Sequence, residues 1–150
     1  MEKTINISYE HYTLDTLPTA DNELTKAAFE ATTQAYAPFS GFKVGAAARL
    51  RSGEIITAAN CESEVFPSGL CAERSLLYHY ATNYADNPIE AMAIASNPSE
   101  RECYPCGACR QVILDTENRQ QSPIRIIMAG GGTASIVNSA KDLLPFTFKL

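Results

Sequence analysis

Five cysteines are the residues of this 150-residue chain whose type and spacing could do chemistry. An odd count with three members close together, Cys103, Cys106 and Cys109, favours metal or redox chemistry over disulfides in a reducing compartment. Cys106 and Cys109 are three apart, so at a helix N-terminus their sulfurs lie on one face and can hold one ion. With Cys71 arriving from another helix, three thiolates leave one tetrahedral position open, which is typical of a catalytic zinc site.

Positive charge is needed around such a site, because three thiolates outweigh the charge of one Zn²⁺ and oppose the ionisation of bound water. Two helix N-termini would supply about half a charge each. Arg74 follows Cys71 by three residues, so it lies on the same side of the helix and can add a full charge and a hydrogen bond to the sulfur. The alternative interpretation of Arg74 is a surface ion pair.

Glu73 stands two residues after Cys71, a spacing that suits a carboxylate beside a metal better than one bound to it. As a functional residue Glu73 would carry protons. As a structural residue it would complement the helix dipole in the first turn. The neighbouring candidate ligands favour the proton carrier.

The elements that must position these residues are predicted from apolar periodicity and turn residues. Helical spacing predicts three helices, at about residues 20–36, 70–83 and 106–117, and a short last helix capped by Ser139. Apolar runs predict strands at residues 44–50, 55–59, 89–95 and 123–128, with one more after the glycines at 130–132. Residues 1–18 form an N-terminal extension, in which a weak alternation of Ile5, Ile7 and Tyr9 leaves an edge strand or an ordered arm open.

This order of elements predicts an α/β protein, a three-layer α/β/α sandwich around a central mixed five-stranded sheet. With 45% hydrophobic and 19% charged residues, residues 1–150 fit a single domain. The net charge of -5 and the absence of a basic cluster argue against nucleic acid and anionic membranes as partners. Residues 1–6 do not have the pattern of a secretory signal, and no apolar run approaches about 18 residues, so we expect a cytoplasmic protein.

Several motifs in this order resemble those of the small, homotetrameric, zinc-dependent cytidine deaminases of the cytidine/deoxycytidylate deaminase superfamily. The matching segments are residues 36–47, 60–62, 71–74, 105–111 and 143–145, followed by Phe148. A ligand-x-Glu pair followed by Pro-Cys-x-x-Cys is also the general zinc-deaminase motif. The resemblance implies a cytidine deaminase-like fold and one Zn²⁺ per chain. It also implies hydrolysis of cytidine and deoxycytidine to uridine and deoxyuridine plus ammonia, a reaction of pyrimidine salvage.

The resemblance assigns the chemistry to four residues. It implies that Cys71, Cys106 and Cys109 bind zinc and that Glu73 is the catalytic proton shuttle. Zinc-bound hydroxide would attack C4 of the pyrimidine, while Glu73 protonates N3 and later the departing ammonia.

The resemblance also implies a set of substrate contacts and supporting residues. The substrate-binding residues are Phe42 beside the base, Asn60 and Glu62 at the ribose 3′-hydroxyl, Ala72 through its backbone N–H, and Phe148 from a neighbouring subunit of a homotetramer. The supporting residues are Arg74, Gln111 and Tyr104, the last through a backbone carbonyl that would accept from the leaving amine. Asn60 and Glu62 alternate at the end of a strand, so they would offer a donor and an acceptor on one side.

Some positions depart from the family pattern. Residues 63–66 read Ser-Glu-Val-Phe where Asn-Ala-Ser/Ala-Tyr is usual, which affects the sugar surroundings and the subunit contacts. Tyr104 stands where serine is common. Cys61 replaces a valine or isoleucine and is expected to pack as one, Cys103 is an extra thiol, and His79 is expected on a helix surface or interface.

Other interpretations of the cysteines remain open at this point. Cys103, Cys106 and Cys109 have Cys-x-x-Cys-x-x-Cys spacing and with Cys71 could hold an iron–sulfur cluster or a purely structural zinc. Within the deaminases, the alternatives are a blasticidin-type aminonucleoside deaminase and a deaminase of bases in RNA or DNA. The segment Phe42-Lys43-Val44-Gly45 favours a free nucleoside substrate over the first, and the lack of a basic track disfavours the second.

Overall fold

One mixed sheet with helices on both faces organises the chain, for which the computed structural model describes residues 1–150. The strands and α-helices, in chain order, are β1 (Glu10–Thr13), α1 (Thr19–Ala31), β2 (Lys43–Leu50), β3 (Ile55–Ala59), α2 (Ala72–Asn83), β4 (Ile89–Asn97), α3 (Gly107–Gln120), β5 (Arg125–Gly130) and β6 (Thr133–Val137). Short 3-10 helices lie at Leu14–Thr16, Thr32–Gln34, Phe66–Ser68 and Ala140–Leu143. None of these helices has the length and apolar character needed to cross a membrane.

The strands lie in the order β1-β6-β5-β4-β2-β3. Only β4 and β5 run parallel, with α3 as the crossover between them, and the other neighbouring pairs are antiparallel. Helix α1 packs on one face of the sheet, and α2 and α3 pack on the other. This is the three-layer α/β/α sandwich predicted from the sequence.

Alternation along the strands separates the two faces. In β4, Ala93 packs toward α1, while the next residue, Ile94, packs in the cluster formed with α2 and α3. Both residues are completely buried, because helices cover both faces of this central strand.

The sheet has six strands where the sequence predicts five. The additional strand, β1, pairs antiparallel with β6, with His11 opposite Ser135. Glu10–Thr13 is polar and shows no apolar alternation, so the pairing depends on the free edge of β6 rather than on a local pattern. Ile5, Ile7 and Tyr9, which suggested an edge strand or an ordered arm, precede it in an irregular, exposed segment.

The first helix is shorter than its periodicity predicts. It ends at Ala31 and continues as a 3-10 turn to Gln34. Thr32 Oγ1 donates to the carbonyl of Phe29 and Thr33 Oγ1 to that of Glu30, bonds that compete with the helical ladder.

Candidate active site

Two cysteines occupy the N-cap positions of the two helices on one face of the sheet. Cys71 caps α2 and Cys106 caps α3, both with extended backbone, and neither sulfur accepts a capping hydrogen bond from a backbone N–H of its own helix. Their sulfurs are therefore free to bind an ion where two helix dipoles present their positive ends.

The three cysteine sulfurs of Cys71, Cys106 and Cys109 lie within 4.8 Å of one another. The Sγ atom of Cys106 is 3.9 Å from that of Cys71 and 3.5 Å from that of Cys109. Two thiolates bound tetrahedrally to zinc at about 2.3 Å are separated by about 3.8 Å. The donor set therefore fits Zn²⁺, and it is open on one side, because Cys109 is buried while Cys106 is exposed.

The Arg74 guanidinium lies against this cluster. Its Nη2 donates to Cys71 Sγ at 3.5 Å, and Arg74 forms no ion pair with a carboxylate. The alternative of a surface ion pair is therefore wrong. Hydrogen bonds from Cys109 and then from Arg74 lower the pKa of Cys71, while the bond to Cys71 and burial raise the pKa of Cys109.

Glu73 is a buried carboxylate in the first turn of α2, with 3% of its surface exposed. Burial raises the pKa of Glu73 to about 7, and a thiolate on Cys71 acts in the same direction. A carboxyl group that titrates near neutral pH can both accept and return a proton.

Asn60 and Glu62 support the loop that precedes β2. Asn60 Oδ1 accepts from the Val44 N–H at 2.8 Å, and Asn60 Nδ2 donates to the Phe42 carbonyl at 2.9 Å. Glu62 accepts from the N–H groups of Phe39 and Ser40 and from the Ser40 hydroxyl, bonds that lower the pKa of Glu62. Sequence reasoning missed this role, since the partners lie 16 to 23 positions away.

Two hollows are lined by residues of the predicted site. One, of about 740 Å³, lies between Phe42, Cys103 and Tyr104. The other, of about 260 Å³, reaches from Asn60 and Glu62 to Cys71 and Arg74. The smaller hollow therefore joins the predicted sugar-binding pair to one candidate zinc ligand, and the larger one brings Phe42 near Tyr104. Ala72 is the buried first residue of α2.

Two predicted site residues lie elsewhere within the chain. Gln111 Nε2 donates to Asp115 Oδ1 at 2.8 Å along α3 instead of facing the cluster. Phe148, 74% exposed in the C-terminal segment, lines neither hollow.

The remaining thiols are not part of the cluster. Cys103 packs against the core, so the four-cysteine arrangement required by the iron–sulfur and structural-zinc alternatives is not assembled. Cys61 is exposed, and its predicted packing is wrong, because its backbone bridges Tyr36 and Leu70 outside the regular sheet. His79 is exposed on α2, as expected of a surface residue.

Comparisons with known proteins match this geometry. A family model for the cytidine and deoxycytidylate deaminase zinc-binding region matches residues 18–122. The chain is 38% identical to a cytidine deaminase of Halalkalibacterium halodurans over 92 residues, 61% of this chain and 68% of that protein. It is 33% identical to the cytidine deaminase of Mycobacterium tuberculosis over 138 residues, 89% of this chain and 94% of that one.

A solved structure of a cytidine deaminase also resembles this chain. The crystal structure of cytidine deaminase from Burkholderia pseudomallei superposes with a TM-score of 0.70 at 34% identity, covering 84% of this chain and 97% of that one. The region matched by the family model holds the three clustered cysteines and Glu73, and it begins after β1.

Proposed function

The chain belongs to the cytidine and deoxycytidylate deaminase family and is an enzyme of that type, and on this premise we propose that it converts cytidine and deoxycytidine to uridine and deoxyuridine. The reaction consumes one water and releases one ammonia. The observation that carries the proposal is the convergence of three cysteine sulfurs and a buried carboxylate at two helix N-termini. The corresponding cellular role is salvage of free pyrimidine nucleosides in the cytoplasm.

Cys71, Cys106 and Cys109 would hold one Zn²⁺ per chain, which when bound supplies Lewis-acid chemistry and lowers the pKa of water to about 7. The chain itself offsets the excess of thiolate charge. Arg74 donates to Cys71 Sγ, and the first turns of α2 and α3 add their partial positive charges.

Glu73 moves the protons. Its carboxylate takes a proton from the attacking water and gives it to N3 of the pyrimidine as the C4–O bond forms. It then transfers the second proton of that water to the amino group, so that ammonia leaves as the C4–N bond breaks. The burial that raises the pKa of Glu73 to about 7 suits a group that must accept and release protons in turn.

The substrate is oriented by groups from several elements. The backbone N–H of Ala72, in the first turn of α2, donates to O2 of the base, and the Tyr104 carbonyl accepts from the departing amine. Phe42 packs against the ring from the edge of the larger hollow.

The ribose 3′-hydroxyl binds to the remaining hydrogen-bonding capacity of Asn60 and Glu62. Glu62 Oε2 receives only the Ser40 hydroxyl, so it can accept another bond, and Asn60 Nδ2 has a second N–H to donate. Because both side chains also hold the Phe42 loop, sugar binding and base packing are coupled.

Phe148 completes the site of a neighbouring subunit in a homotetramer. Its exposure in the C-terminal segment, which leaves the ring available to a neighbouring subunit, supports this assignment. Light scattering should give the mass of a tetramer, and Phe148→Ala should raise KM without dissociating it. A fully active monomer would contradict the shared site.

The direct test of the function is conversion of cytidine by zinc-replete protein. Loss of the ultraviolet absorption of cytosine should accompany formation of uridine, identified by chromatography, and deoxycytidine should react likewise. Protein with zinc bound that yields no uridine from cytidine would overturn the proposal.

A further inference from the structure

The N-terminal strand β1 precedes the region that the family model matches, yet it reaches the side of the sheet that carries the cysteines. Its residues alternate between faces: Glu10 bonds to Arg125 on the α1 side, and His11 lies opposite Ser135 on the α2 and α3 side. His11 Nδ1 lies 3.1 Å from Ser135 Oγ and 3.5 Å from Glu102 Oε1.

The buried Glu102 carboxylate is the centre of a group of side chains that we call the Glu102 cluster, consisting of His11, Glu102, Tyr104, Thr133 and Ser135. Thr133 Oγ1 donates to Oε1 at 2.7 Å, and the Tyr104 hydroxyl donates to Oε2 at 2.9 Å. The Glu102 side chain is only 7% exposed. Burial alone would raise its pKa, but the bonds from Thr133, Ser135 and Tyr104 hold it below the usual range, so the group stays anionic.

The backbone segment that carries Glu102 and Tyr104 continues directly to Cys106, a candidate zinc ligand. Cys103 N–H donates to the Ala129 carbonyl at 3.1 Å, which fixes the segment on the end of β5. On the far side, Arg110 Nε donates to the Pro105 carbonyl at 2.8 Å. Tyr104 therefore lies between two anchors, immediately before Pro105 and the N-cap Cys106.

We propose that the Glu102 cluster is a positioning device for the deamination site, through which β1 fixes the backbone of Tyr104 and the sulfur of Cys106. This inference rests on the proposed function, since the two groups it positions, the Tyr104 carbonyl and the Cys106 sulfur, are the acceptor for the leaving amine and a zinc ligand. His11, Glu102 and the Tyr104 hydroxyl are positioning residues: their side chains lie outside the three-cysteine cluster, and they act through the backbone that carries Tyr104 and Cys106.

The Tyr104 hydroxyl has a matched control on the opposite face of the sheet. Tyr12 OH donates to Glu10 Oε1 at 2.9 Å, the same bond type and length as that from Tyr104 to Glu102. Tyr104→Phe should speed release of zinc to a chromophoric chelator by roughly three- to tenfold. This is less than the roughly 10–100-fold typical of direct outer-shell partners, because the hydroxyl acts through the backbone. It should lower kcat by a similar factor with KM little changed. Tyr12→Phe should leave both unchanged.

The role of β1 is tested by His11→Ala, with Thr13→Ala as the control on the same strand and face. His11→Ala should speed zinc release, and Thr13→Ala should not. The urea midpoint of each variant is measured as well, so that a loss of stability is distinguished from a loss of positioning.

Zinc release is followed whether or not cytidine is turned over, so the two proposals fail separately. A Tyr104→Phe protein that matches the wild type in both zinc release and kcat overturns the positioning role, and so does an equal effect of Tyr12→Phe. Wild-type protein that holds zinc but does not deaminate cytidine overturns the function alone.

Discussion

The face of the sheet that packs against α1 is built mostly from alanine, whereas the face that packs against α2 and α3 carries isoleucine, methionine and leucine. On the α1 side the small residues let helix and sheet approach closely. A Cβ on Gly45 would lie 2.0 Å from the Ala28 carbonyl oxygen. On the other side, larger side chains fill the space beneath two helices.

The two faces of the sheet differ in role: the α1 face contributes mainly to stability, and the α2 and α3 face carries the candidate active site. The α1 face is packed mainly with apolar side chains, and its buried Asp21 carboxylate is paired with Arg125. At one end of the α2 and α3 face the core stops, and its place is taken by buried Glu73 and Cys109 beside the exposed Cys106. Burying charged and polar groups costs free energy unless they are paired, so we expect the second face to be less stable locally and more sensitive in function.

The largest expected effect is that of Glu73→Gln on the cysteine side. General acid–base catalysis is worth about 10²–10⁴-fold, so kcat should fall by this factor, about 3–5 kcal/mol of barrier. Zinc content should be retained, and the urea midpoint should not fall, because a neutral amide replaces a buried carboxylate. An active Glu73→Gln protein would remove the proton shuttle from the account.

Gly45→Ala on the α1 face should lower stability and leave catalysis intact, the opposite of the outcome expected for Glu73→Gln. The added methyl group must push α1 from the sheet, which should lower the free energy of unfolding by about 3 kcal/mol. The kcat of the folded fraction, corrected by active-site titration, should be nearly unchanged.

Gly107→Ala is the matched control at the start of α3, where a Cβ would have no neighbour within 4 Å. Its unfolding free energy should be unchanged or higher by about 0.5 kcal/mol. Equal destabilisation by the two substitutions would contradict the close approach of α1 to the sheet.

Removal of zinc should destabilise only the side of the sheet that packs against α2 and α3. With free Zn²⁺ at 100 times Kd, its loss should lower the unfolding free energy by about 2.7 kcal/mol. Hydrogen exchange should accelerate in the first turns of α2 and α3, while amides of β4 beneath α1 stay protected. Uniform acceleration across the sheet would contradict a local metal site.

The smallest expected effect is a pH dependence of the unfolding free energy that arises from Glu10 on the α1 side. The hydrogen bond from Arg125, at 2.6 Å, lowers the pKa of Glu10, whose side chain is 38% exposed. A carboxylate whose folded pKa is depressed contributes stability above its unfolded pKa of about 4.3, and loses it as pH falls through the folded pKa. Wild type should exceed Glu10→Gln in urea unfolding at pH 6 by under about 1 kcal/mol, and the gap should close in more acid solution. A gap that widens on acidification would contradict the ion pair.

The sequence predicted those features that local patterns encode. Cys106 and Cys109 share one helix turn, so their spacing alone brings the sulfurs together. The nearly continuous apolar run of β4 likewise marks a strand buried on both faces.

Features that depend on distant partners were not predictable. Strand β1 has a polar sequence and forms through the free edge of β6 and through Arg125, which is 115 positions from Glu10. The loop contacts of Asn60 and Glu62 are equally non-local. In both cases the partner of a side chain is set by the fold and not by its neighbours in sequence.

The central claim is that Cys71, Cys106 and Cys109 form a zinc site on which deamination depends. Metal-free protein titrated with Zn²⁺, with bound metal and the rate of uridine formation measured in the same samples, tests it most directly. The rate of uridine formation should rise in proportion to bound zinc and level off at one zinc per chain. Turnover by fully metal-free protein, or none at full occupancy, would contradict it.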